Sequence, residues 1–223
     1  MVFSQGPRAA IAATVITAVN APVALADFTN PFVPDWRGTP ASEFYAWESF
    51  TSAFGGSNDT NYAGTETGPA LFNFGMGAAL TSTGNIYGGQ NPLSVMAIGG
   101  LTQRVNQVVL NLSTLGTLVN LESVRLTLAD NAGHAYSSIY NYTILRSDVQ
   151  LPGPTGQAQT RAFKWELSPT GTEFVPTRFT IEFSSQTIHM SLDAVSLDFR
   201  YVPAPGALAL LAFAGAFGVR RRR

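Results

Sequence analysis

From residue 104 to residue 202, apolar side chains recur at every second position in one segment after another. That period leaves little open but a sheet protein. SVRLTLAD (residues 123–130) sets Val124, Leu126 and Leu128 on one face and Arg125 and Thr127 on the other. AFKWELS (162–168) does the same with Phe163, Trp165 and Leu167, and RFTIEFSS (178–185) with Phe179, Ile181 and Phe183. RVNQVVLNLSTL (104–115) alternates through Val108, Leu110 and Leu112, and HAYSSIYNYTILRSDV (134–149) continues the series. The closing stretch TIHMSLDAVSLDFRYV (187–202) carries Ile188, Met190 and Leu192, then Val195, Leu197, Phe199 and Tyr201. Its phase slips after Leu192, so Asp193 and Ala194 are expected at a bulge.

Upstream the pattern is less regular. EFYAWESFTSAF (43–54) reads as the first strand, and residues 27–42, with three prolines, as an extended lead-in. The Gly-, Asn- and Thr-rich residues 55–69 read as a long exposed loop, and shorter strands are expected at 70–74, 79–87 and 93–98. Apart from a single turn near Pro40 to Phe44, no segment of the body carries a helical stripe. Charged residues are only 12% of the chain, which suits strands better than Glu- and Lys-rich surface helices. The expected body, residues 43–201, is an all-β antiparallel sandwich of jelly-roll type.

Both ends differ from this body. Arg8 precedes an apolar core from Ala9 to Val19, and Ala24-Leu25-Ala26 offers small residues before Asp27. This is the layout of a secretory signal peptide, helical over its core, spanning residues 1–26 and cut by signal peptidase between Ala26 and Asp27. Residues 27–202 hold all fourteen acidic side chains against seven Arg and Lys164, a formal net of −6. A mildly acidic body lacks the basic stripe of a nucleic-acid binder. The absence of cysteine excludes disulfides and thiolate metal sites.

The tail, residues 202–223, reads VPAPGALALLAFAGAFGVRRRR. As a helix over residues 204–220 it is just long enough to cross the roughly 30 Å hydrocarbon layer, given snorkelling arginines. Arg220, Arg221, Arg222 and Arg223 then face the cytoplasm. Pro203 and Pro205 keep the chain extended on the outer side. A single transmembrane anchor and a removable label share this layout.

The Val202-Pro203-Ala204-Pro205 step, the Gly206-Ala-Leu-Ala-Leu-Leu start and the terminal arginines together resemble the PEP-CTERM sorting signal of Gram-negative bacteria. That resemblance implies transient residence in the inner membrane. It also implies recognition and cleavage by an exosortase-type membrane enzyme, and release to the cell surface or extracellular matrix. The central Glu of the family signal is Ala204 here.

MSLDAVSLDF (190–199) is similar to the last strand of jelly-roll carbohydrate-binding modules. On that likeness Asp193 stands where such modules place a ligand for structural calcium. Glu48, in the first strand, is the carboxylate available as its partner. The implied ligand is a polysaccharide, the producer's own exopolysaccharide.

Catalytic patterns are scarce. His134, in a turn, and His189, in a strand facing solvent, lack a triad arrangement, and no nucleophile elbow or phosphate loop occurs. Glu43, Glu48, Glu166 and Glu182 are the carboxylates a glycosidase could pair, but sequence cannot put two of them in one cleft. Asp198 is expected at the surface. Of the tryptophans, Trp165 belongs to the core by its alternation, and Trp36, in the lead-in, is the candidate for exposure. The body is therefore read as non-enzymatic.

Overall fold

The computed structural model of the chain describes residues 28–63, 68–153, 156–167 and 174–202. The expected signal helix and transmembrane helix, and the cleavage residues Ala24, Ala26 and Asp27, lie outside them. So does the sorting segment from Pro203 to Arg223, apart from Val202.

Among the described residues fourteen strands follow in chain order. They are β1 (Ser42–Trp47), β2 (Asn58–Asp59), β3 (Tyr62–Ala63), β4 (Ala70–Asn73), β5 (Ala78–Leu80), β6 (Ile86–Gly88) and β7 (Ser94–Gly100). The rest are β8 (Val105–Gly116), β9 (Arg125–Ala129), β10 (Ala135–Ile139), β11 (Tyr142–Gln150), β12 (Gln157–Glu166), β13 (Arg178–Ser184) and β14 (Met190–Tyr201). All pairings between them are antiparallel. The larger sheet runs β11-β12-β8-β14-β1-β3, with the β5–β6 hairpin also joined to β14. The smaller sheet runs β10-β9-β13-β7-β4-β2. Among the described residues no helix is long and apolar enough to cross a membrane.

The two sheets close over one core, so the body is an antiparallel β-sandwich. Period-two alternation explains why: Val108, Leu110 and Leu112 of β8 and Val195, Leu197 and Phe199 of β14 point inward. There they meet Leu126, Phe179, Ile181 and Phe183 of the smaller sheet. The rings of Phe179 and Phe199 touch across the layer, 4.6 Å between centroids. Trp47 and Trp165 are fully buried. Each such aromatic side chain buries more apolar area than any aliphatic residue and weighs heavily in the core.

The expected bulge is present. The register of β14 against β8 shifts between Leu192 and Ala194, which turns Asp193 out of the regular alternation. The first and last strands are neighbours, with Ser42 opposite Arg200 and Trp47 opposite Val195.

Several expectations need correcting. The strand expected at 79–87 is the β5–β6 hairpin, and the one expected over 43–54 stops at Trp47. Residues 55–69 are not a plain exposed loop, because β2 and β3 interrupt them. Asn58 is buried there, its amide taking the backbone N–H of Thr51 and Ser52 and donating to Leu71. Trp36 is 8% exposed rather than solvent-facing, because the lead-in packs on the body. Ile188 falls outside the strand and is exposed. His189 is exposed as expected, but it is a left-handed turn residue (φ 67°) just ahead of β14 rather than a strand residue.

The lead-in is the least expected element. Residues 28–41 cross the outer face of the larger sheet as a strap, meeting strands in their spatial order. Asn30 exchanges bonds with Arg146 on β11, and the ring of Phe32 lies under Lys164 of β12, 5.2 Å away. The Phe32 backbone is held from both sides by the Asn111 amide of β8, at 2.8 and 3.1 Å. Arg37 reaches Asp198 of β14, then stacks on Phe44 of β1 at 3.9 Å.

Candidate functional site

Asp198 is not a surface residue. It is fully buried beneath the strap, and Arg37 grips both of its oxygens, at 2.6 and 2.8 Å. Burial raises its carboxyl above the usual range, and Arg37 pulls the other way without reversing the shift. This pair fastens the strap and uses up the one carboxylate on the central outer face of β14.

Asp193 lies further back on β14, at the bulge, where β6 gives way to β1 along the strand. Its Oδ1 accepts from the Asn85 amide at 2.7 Å and its Oδ2 from the Ser113 hydroxyl at 3.1 Å. Glu48 follows Trp47, whose partner is Val195, so the register brings the Glu48 backbone close to the bulge. Its own N–H, with that of Ser49, is tied to Asn61. The Oδ1 of Asn85 is buried with no hydrogen-bond partner among the described residues. Those residues contain no group of three or more His, Asp or Glu able to surround a metal. What the fold does assemble is one carboxylate, a buried amide oxygen and a hydroxyl, with Glu48 in the neighbouring chain segment. Oxygen donors of this kind suit a hard cation such as calcium.

The remaining acids are dispersed. Glu43 accepts from the Tyr45 hydroxyl at 2.7 Å and the Tyr201 hydroxyl at 2.5 Å. Burial chiefly, helped by the Glu43 charge, pushes both phenols well above their ordinary value. The cluster ties β1 to the last residue of β14. Glu166 ends β12 in the larger sheet, where its bond to Tyr142 raises that phenol. Glu182 stands on the outer face of the smaller sheet, in register with Arg125. His134 pairs with Asp130 at 2.8 Å in an exposed hairpin turn, and His189 bonds the Tyr87 hydroxyl at 2.7 Å. Among the described residues neither imidazole is bonded to a serine or threonine hydroxyl.

A cavity of about 440 Å³ opens beside β12, at the end of that strand which pairs with the last residues of β8. Gln159 and Arg161 of β12 form one wall, and residues 118–122 with Gln186 line the rest. No sequence motif marks it, since two polar residues two apart on a strand look like any solvent-facing pair. The pairing partner of Arg161 is Leu112, a core residue, which puts Arg161 on the inner face.

No family model, curated protein or solved structure matches the chain.

Proposed function

We propose that the protein is an exported, non-enzymatic component of a bacterial cell surface or extracellular matrix. A signal peptide directs it out of the cytoplasm, and a C-terminal signal of PEP-CTERM type holds it in the inner membrane until an exosortase-type enzyme removes that signal. The observation carrying this reading is the order of the tail itself: the Val202-Pro203-Ala204-Pro205 step, the charge-free run and Arg220 to Arg223. The boundaries of the body agree with it. β14 ends at Tyr201, whose N–H bonds Ala41, and Val202 makes one backbone bond, to Arg104. At the other end, a cut after Ala26 leaves every bond of the strap from Asn30 onward in the mature chain. Cell fractionation tests the reading. Without the sorting enzyme the chain is expected to stay in the membrane, and with it to reach the surface. Identical distribution in both strains would refute sorting and leave a plain anchor.

A second reading, a carbohydrate-binding sandwich with structural calcium, is favoured by the partnerless Asn85 Oδ1 beside Asp193. Asp193, that amide oxygen and the Ser113 hydroxyl would hold the ion, with Glu48 as the second carboxylate. The amide now presents its NH₂ to Asp193; a cation would reward the opposite orientation. Calcium would then supply a fixed junction between β14 and β6. Calcium at about 1 mM, the weak-site range for extracellular modules, is expected to raise the melting temperature of the native chain but not of Asp193→Ala. An equal response in both would remove the site.

A further inference from the structure

We propose that the cavity beside β12 binds a carboxylated sugar, of the uronic acid class, through Arg161. The guanidinium is built into place. Its Nε donates to Gln159 Oε1 at 3.0 Å, and Gln159 is itself only 6% exposed. None of the described residues accepts from the two terminal nitrogens of Arg161, and none places a carboxylate in ion-pair range of it. A preoriented planar fork without an acceptor matches a carboxylate, which it can take through two parallel bonds.

The other walls define the rest of the ligand. Leu118 and Leu121 offer aliphatic surface to the C–H face of a ring, while the amides of Gln159 and Gln186 can both donate to and accept from hydroxyls. A volume of about 440 Å³ lies within the range of small-molecule sites and admits a sugar of roughly one or two rings. Charge decides between anions. Among the described lining residues Arg161 is the one cation, enough to neutralise a singly charged carboxylate, while the exposed Glu122 disfavours the second charge of a phosphate.

The site deepens the carbohydrate reading and rests on it for the choice of a sugar. It depends neither on calcium nor on the tail. Retention of the chain on exopolysaccharide tests the broader reading; the cavity is tested separately by titrating the full-length chain with defined small molecules, followed by ligand-observed NMR. Glucuronate is expected to bind saturably, and glucose, acetate and inorganic phosphate each at least about tenfold more weakly. Arg161→Gln should lose about tenfold in glucuronate affinity with an unchanged melting temperature. Should that variant fail to fold, Glu122→Gln, which removes the opposing charge at the exposed rim, should strengthen glucuronate several-fold and leave glucose unaffected. The proposal is overturned by no saturable glucuronate binding, by glucose binding as tightly, by acetate or phosphate matching it, or by unaltered affinity in the folded variants. Retention on polysaccharide with no glucuronate binding would remove the cavity alone.

Discussion

The outer faces of the two sheets have opposite fates. On the smaller sheet, β13 alternates cleanly: Phe179, Ile181 and Phe183 are buried, while Arg178 and Glu182 are exposed and Thr180 is half-buried. On the larger sheet, β8 and β14 are buried on both faces, since Asn111, Ser113, Ser196 and Asp198 are shielded as thoroughly as the core residues between them. The strap makes the difference. A face covered by chain cannot leave its polar groups to water, so each must find a partner, either within the sheet, as Ser113 does in Asp193 and Ser196 in Asn111, or in the strap. Asn111 finds the Phe32 backbone and Asp198 finds Arg37.

Substitutions on the two faces should therefore differ sharply. Arg37→Ala leaves the Asp198 carboxylate buried without its partner, and about 3–5 kcal/mol of stability should be lost in chemical denaturation. Asp198→Asn should cost less, because a neutral amide remains within reach of Arg37. The raised Asp198 carboxyl sets a pH signature as well. The folded form holds this proton more readily than the unfolded one, so the contribution of the group to stability falls as pH rises from the ordinary carboxylate range through its folded value. Above that value it is level, and Asp198→Asn should abolish the slope. A rise in this group's contribution over the same interval would contradict the burial-dominated account.

Asn111→Ala comes next. It strips both bonds from the Phe32 peptide under the strap, and a loss of about 1–3 kcal/mol is expected. Faster amide exchange across residues 28–37, with the smaller sheet unaffected, would accompany it. Thr180→Ala on the bare face should lie within about 0.5 kcal/mol of the parent. A cost comparable to that of Asn111→Ala would erase the contrast between the faces.

The same contrast marks how far the sequence could be read. Inward-facing residues of β8, β9, β12, β13 and β14 are visible in the alternation, and so is the bulge at Asp193, because both are properties of neighbours along the chain. The strap is not. Its anchors lie 79 and 161 residues away in sequence, at Asn111 and Asp198, and nothing near Trp36 or Arg37 announces a sheet face to cover. One clue was present: the outward positions of β8 and β14 carry Asn, Ser and Asp rather than Lys and Glu. Arg161 was equally hidden. Its alternation with Phe163 and Trp165 reveals the face it shares, but the other walls of the cavity come from residues 118–122 and Gln186, which are distant from it in sequence.

Both ends of the body bear on the export reading, since the strap must survive N-terminal processing and β14 must survive C-terminal processing. Intact mass spectrometry of the protein recovered from the cell surface tests this directly. The account predicts a chain that begins at Asp27 and lacks Arg220 to Arg223. A surface protein retaining residues 1–26, or ending at Arg223, would contradict it.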